Sequence, residues 1–294
     1  MTLIVLGSAN RDYTVLVERH PQPGETVLGG SLSVATGGKG ANQAVAAARA
    51  GAKPIFVGAV GTDSVGADIL ADLAARGVET SAVARAAQPT GIALIQVDSS
   101  GENTIVVAAG ANATLDPAAT AAVVAGLADE SAVLLCQLEI PPEVVSAAAS
   151  EVERVHGRFV LNLSPSRYVS PKLLALADPV ILNRAEASDL AGSAIDGPAD
   201  AITIARRLLT TCVSVVITLG EDGVVVGETT GVTHLDAERV TVVDSTGAGD
   251  AFAGTLAAAL ATGSALTDAA KAGLAAGTAA VQHPGAQPPF QPQL

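Results

Sequence analysis

The sequence has no tryptophan, one methionine and two cysteines, and aromatic residues make up 2% of its 294 positions. A core must therefore be packed from Ala, Val, Leu and Ile, and a ligand site built on aromatic stacking is not expected. Charge is sparse at 15% and one-sided: 16 Lys and Arg stand against 29 Asp and Glu, a formal net charge of −13. Such a surface repels nucleic acid and anionic membranes, so neither is expected as a partner. An anionic small molecule could bind only where N–H groups or cations are focused locally. Cys136 and Cys212 lie inside apolar runs without metal-ligand spacing and read as two reduced core thiols. The opening MTLIVLGSAN lacks a basic region and a cleavage site and reads as a first strand. The uncharged stretch 251–267 is rich in Ala, Gly and Thr and short for a membrane span. It reads as a buried helix, and the protein as cytoplasmic.

Hydrophobic residues, at 49%, are ample for a large core. Short apolar runs (3–7, 55–61, AVLLCQLE, RFVLNLS, PVILNRAEA, VSVVITLG) alternate with helical stretches (40–52, 65–78, 142–156, 198–210). Near-continuous apolar strands separated by helices imply a mainly parallel sheet covered on both faces, an α/β fold. In such sheets ligands bind beyond the carboxyl ends of the strands, where Asn10, Glu139, Asn162, Asn183 and Gly220 fall. Residues 12–36 and 88–109 break the rhythm with β alternation, and DSSGEN (98–103) reads as a hairpin turn. These strands are expected to form a small antiparallel lid within a single domain over 1–294. A small, partly apolar sheet is hard to stabilise alone, so a second copy could pack on it.

Two loops carry the chemistry. ATGGKGANQA (35–44) offers Gly37, Gly38 and Gly40 for close backbone approach, Lys39 as a point charge and Asn42 as donor and acceptor, before a helix start with free N–H groups. Neither a Walker loop nor a G-x-G-x-x-G fingerprint is present. In DSTGAGDAFAG (244–254), Gly247, Ala248 and Gly249 open a helix after the apolar run RVTVV (239–243), expected to be a strand. N–H groups at such a start form an anion-binding concavity. Asp250 taken alone could be a plain helix cap. Capping, however, does not require three small residues before it. A phosphoryl group held there would set its target hydroxyl beside Asp250, which could accept the proton.

GGKGANQA and DSTGAGDAFAG resemble the two signatures of the PfkB/ribokinase family of carbohydrate kinases. VLGSANRDY, PGETV, GENTIVVAAGANATLDP, QLEIP, VITLGEDGV and GAQP are similar to family segments in order, over essentially the whole chain. The resemblance implies a ribokinase-like three-layer α/β/α fold and ATP-dependent phosphorylation of D-ribose at its 5-hydroxyl by in-line transfer. Another small sugar, deoxyribose or a ketohexose, and a non-catalytic sugar-binding relative are the alternatives. It implies Asn10, Asp12, Gly38, Lys39, Asn42 and Glu139 for the sugar, Asp250 as base, and Gly247, Ala248 and Gly249 as anion hole. Asn183 and Glu186 would lie near Mg²⁺ and the phosphates, and Thr218, Gly220, Gly223 and Gly249 along the nucleotide. Asp244, Thr246, Ala280, His283 and Gly285, mostly through carbonyls, would hold K⁺ as activator, and a homodimer would form through the lid. Three positions depart from the family pattern. NLSP (162–165) replaces Asn-Pro-Ala-Pro, Pro289 replaces a hydroxyl residue of the cation site, and Leu274 stands near the adenine at a position that can be polar.

Overall fold

The computed structural model describes residues 1–287. Strand β1 (Leu3–Leu6) leads into β2 (Asn10–Leu16) and β3 (Leu32–Gly37). Then come α1 (Lys39–Arg49), β4 (Ile55–Gly61), α2 (Ser64–Ala75), β5 (Val83–Ala86), β6 (Gly91–Val97) and β7 (Asn103–Ala108). The middle of the chain supplies α3 (Pro117–Leu127), β8 (Val133–Cys136), α4 (Pro142–Arg154), β9 (Arg158–Asn162), α5 (Pro171–Leu176) and β10 (Ala177–Asn183). After it follow α6 (Arg184–Ala191), α7 (Pro198–Leu208), β11 (Val215–Thr218), β12 (Val224–Glu228), β13 (Gly231–Leu235), α8 (Ala248–Ala261) and α9 (Leu266–Ala280).

Nine strands form the central sheet in the order β13-β12-β11-β10-β9-β8-β1-β4-β5. All its pairs are parallel except β11–β12 and β12–β13. Alternation decides which face each side chain serves. Leu3 and Val5 of β1 join Val133 and Leu135 of β8 in a core beneath α1, α2, α8 and α9. Ile4, Leu6, Leu134 and Cys136 point the other way, into a core with α3 to α7. Both faces are covered, which gives the expected three layers. Cys136 and Cys212 are buried and unpaired. Among the described residues no helix is long and apolar enough to cross a membrane.

The lid is a separate four-stranded sheet, β3-β2-β6-β7. Its outer pairs are antiparallel, but the central β2–β6 pair is parallel, with Asn10 opposite Gly91. Both strands leave the main body at the same end, so they must run the same way. Two stretches expected as strands are not. In 26–31, Leu28 is 93% exposed, and Gly30 N–H reaches back to Leu16 O at the end of β2 without a ladder forming. In 239–243, the N–H groups of Val243 and Asp244 donate to Val281 O beyond α9. The alternating valines there line a cleft instead of continuing the sheet.

Candidate active site

Helix α8 begins on Gly247, whose backbone is left-handed (φ 78°). A Cβ there would stand 2.4 Å from the carbonyl oxygen of Ala286, so both conformation and space require glycine. Ala248 N–H donates to Ser245 O at 3.3 Å. Gly249 and Asp250 follow within the first turn, where amides have no intrahelical acceptor. Asp250 does not cap this helix. It is 7% exposed and accepts from Asn42 Nδ2 (3.1 Å) and Gln43 Nε2 (2.8 Å), both on α1. The helices can approach so closely because of Gly254, where a Cβ would lie 2.2 Å from Gln43 O. Burial pushes the Asp250 carboxyl above its ordinary pKa, against the pull of Lys39 and of the two amide donors.

The other acids converge on the same place. Glu139 Oε2 accepts from Ser8 Oγ (2.5 Å) and from the Lys39 N–H (3.0 Å), tying the 37–40 loop to the end of β1. Gly38 supplies that loop with a left-handed residue at φ 88°. Asp12, on the lid, has its pKa pushed up to about 7 by burial first and then by Glu139 and Asp250, with Arg11 opposing. Its Oδ1 is buried without a hydrogen-bond partner among the described residues. Asn10 opens β2 instead of closing β1, and its Oδ1 accepts from Asn112 Nδ2 at 2.8 Å.

Two cavities meet at the start of α8. One, of about 430 Å³, is lined by Thr218, Gly220, Gly223, Val242, Phe252 and Leu274. The other, of about 220 Å³, is lined by Lys39, Asn162, Asn183, Glu186, Gly247 and Asp250. Thr218, Ser245 and Gly249 border both, so an elongated ligand could lie along the first and reach Asp250 in the second. Asn183 and Glu186 form a reciprocal capping box: Asn183 Oδ1 accepts from Glu186 N–H, and Glu186 Oε2 from Asn183 N–H. They shape the start of α6 as well as the cavity wall.

Asp244 accepts from Thr246 N–H and Gly285 N–H, each at 2.8 Å. Burial raises its pKa, but the Thr246 side chain, together with these two bonds, outweighs it and holds the group below its ordinary value. The residues expected around a cation thus lie on two segments, the loop before α8 and the end of α9 with its continuation. These are joined by the Gly285–Asp244 bond and by the bonds of Val243 and Asp244 to Val281 O. The Ala280 carbonyl accepts from His283 N–H at 3.1 Å. A carboxylate together with backbone carbonyls is a donor set of the kind that fits a weakly hydrated monovalent ion. The His283 side chain lines a separate cavity with Asn42 and Gln287. Pro289 lies outside the described residues.

Sequence reasoning overlooked Gln43, Gln137, Ser8 and Asn112. A signal existed for the glutamines: each interrupts an otherwise apolar stretch (GANQAVAAA, LLCQLEI), and each is 0% exposed.

The family model for the pfkB family carbohydrate kinases matches residues 2–294. The chain belongs to the PfkB family of carbohydrate kinases. It is therefore a phosphotransferase whose acceptor is a sugar hydroxyl. It is 38% identical to the ribokinase of Haemophilus influenzae over 97% of this chain and 94% of that one. It is 36% identical to the ribokinase of Staphylococcus aureus over 97% and 95%. The structure of Arabidopsis thaliana ribokinase complexed with ribose and ATP superposes with a TM-score of 0.88 at 28% identity, covering 97% of this chain and 94% of that one.

Proposed function

We propose that this PfkB kinase transfers the γ-phosphoryl group of ATP to the 5-hydroxyl of D-ribose. The observation that carries the reading is the placement of Asp250. It is buried in the wall of the smaller cavity, next to Gly249, which borders both cavities. It is held by side chains of a neighbouring helix, not used as a cap of its own. The similarity to ribokinases over nearly the full chain supports ribose as the sugar. The polar set Asn10, Asp12, Lys39, Asn42 and Glu139 suits a polyhydroxylated ligand.

In this reading the larger cleft takes the nucleoside, with Leu274 and Val242 as its apolar walls and Thr218, Gly220 and Gly223 along its edge. Asp250 accepts the hydroxyl proton as the sugar oxygen bonds to the γ-phosphorus and the bond to the bridging oxygen of ADP breaks. Gly247, Ala248 and Gly249 present the α8 N-terminus to the equatorial oxygens, and Lys39 adds a positive charge. Asn183 and Glu186 would hold Mg²⁺ through its waters. Glu186 fits because only Oε2 takes part in the cap, and the ion would neutralise phosphate charge. Asp244, Thr246, Ala280, His283 and Gly285 would hold K⁺ and keep the 244–249 loop in shape.

The lid is proposed to join two copies. Register places Val34, Tyr13, Leu94 and Val106 in one row across a single face, and Val34, Leu94 and Val106 are 49%, 50% and 62% exposed. The deciding experiment is a coupled ADP-release assay over a sugar panel with and without K⁺. Turnover should favour ribose and rise with K⁺. A strong preference for a hexose overturns the substrate, and no turnover on any sugar overturns the activity.

A further inference from the structure

Resting on Asp250 as the base, a second feature concerns how that base is kept ready. Two chains of amide side chains end on its carboxylate from different parts of the molecule. Gln137, just past β8, donates from Nε2 to Gln43 Oε1 at 2.6 Å. Gln43 Nε2 then donates to Asn162 Oδ1 (2.9 Å) and Asp250 Oδ1 (2.8 Å). On the other side, Gln287 Nε2 donates to Asn42 Oδ1 (2.7 Å), and Asn42 Nδ2 donates to Asp250 Oδ2 (3.1 Å).

The direction of every bond follows from one fact: an ionised carboxylate only accepts. Gln43 must present nitrogen to Asp250, and its two N–H groups are then used by Asp250 and Asn162. Its oxygen is left facing Gln137, which must donate. Asn162, with its oxygen accepting, turns Nδ2 to Ile181 O at 3.4 Å. The same logic fixes Asn42 and Gln287. Turning the Gln43 amide over would set oxygen against Asp250 and Asn162, and nitrogen against nitrogen at Gln137. Conversely, a proton on either Asp250 oxygen would meet an N–H donor whose orientation is already fixed. Gln43 lies on the buried, Ala-rich inner face of α1, where an amide is costly unless it is hydrogen-bonded.

We propose that Gln43, oriented by Gln137, is a positioning residue that holds the buried Asp250 ionised and aimed for proton abstraction, with Asn42 and Gln287 completing the clamp. The pull of the amide donors and Lys39 against burial at Asp250 agrees with this role.

The test is the pH dependence of kcat and of sugar KM for the full chain, wild type against Gln43→Met and Gln137→Met. Removing a hydrogen bond to a buried charge should move the acid limb of the profile up by about one to two pH units. This lowers kcat roughly 10- to 100-fold on that limb, with sugar KM little changed and activity recovering as pH rises. Gln137→Met should act in the same direction and less strongly. It carries the test by itself if Gln43→Met does not fold. A folded variant with an unmoved acid limb, or a loss equal at all pH values, overturns the proposal. Inactivity of the wild type on every sugar would instead defeat the kinase reading beneath it.

Discussion

Replacing Asp12 by Asn should make the ligand-free protein more stable, and only above acidic pH. The Asp12 carboxyl, ordinarily at 3.8, is pushed up to about 7 by burial and by the nearby Glu139 and Asp250. It is crowded as well: a Cβ on Gly37 would lie 2.0 Å from Asp12 Oδ2. The folded state therefore binds an extra proton between 3.8 and about 7, and the group's contribution to stability falls as pH rises across that window. Below it both states are protonated, and above it the full cost of holding an anion is felt. Three pKa units correspond to about 4 kcal/mol. Partial exposure of the lid halves this to about 2 kcal/mol, or roughly 4–8 °C in Tm for a chain of this class. Thermal melts of wild type and Asp12→Asn from pH 4.5 to 8.5 would measure it, with Glu130→Gln, an exposed site, as a control for net charge. The difference should be small at the acid end, grow through pH 6 and level off near pH 8. A difference independent of pH, or a variant less stable at pH 8, refutes the reasoning. On the proposed function the variant should also lose sugar affinity, because an amide offers one acceptor oxygen where a carboxylate offers two.

Asp250→Asn should lower kcat about 10²- to 10⁴-fold while sugar binding measured by calorimetry survives; near-wild-type turnover would remove Asp250 as base. Gly254→Ala puts a methyl group 2.2 Å from Gln43 O and should cost about 1–3 kcal/mol in denaturant melts. It should also lower kcat, because it moves Gln43 away from Asp250. Wild type should sediment as the proposed lid dimer and Leu94→Glu, in the middle of the exposed lid row, as a monomer in analytical ultracentrifugation; a monomeric wild type or an unchanged dimer would refute the lid interface.

What could be read from the sequence was what repeats or sits together in it. The parallel core was legible because β1, β4, β8, β9, β10 and β11 are each apolar on both faces, and the helices between them carry one apolar side. The anion loop was legible because Gly247 to Asp250 are contiguous. Valine alternation misled at 239–243, where a cavity wall and a strand make the same demand for β-branched side chains. The parallel β2–β6 pair depends on where two distant segments leave the main sheet. Gln43 and Asp250 are 207 positions apart and Gln43 and Gln137 are 94 apart, so no local pattern announces that network. Asn183 shows the opposite difficulty. A capping box and a cavity wall need the same Asn and Glu three apart, and the structure has both.

The net charge of −13 poses a question that the site answers group by group. A polyanionic nucleotide meets an acidic surface, but screening confines surface charge to about 8 Å at physiological salt, so buried neighbours decide. Those neighbours are, with one exception, held by hydrogen-bond donors. Asp250 is surrounded by amide donors, Glu139 by Ser8 and the Lys39 N–H, and Asp244 by two backbone N–H groups. Asp12 stands apart, with a buried oxygen that has no partner among the described residues. An acceptor left bare in this position is unfavourable until something donates to it, and sugar hydroxyls are donors of the right kind. On the proposed function, this bare acceptor of the ligand-free site would gain donors from substrate. Because Asp12 lies on β2, that gain would also draw the lid toward the sugar.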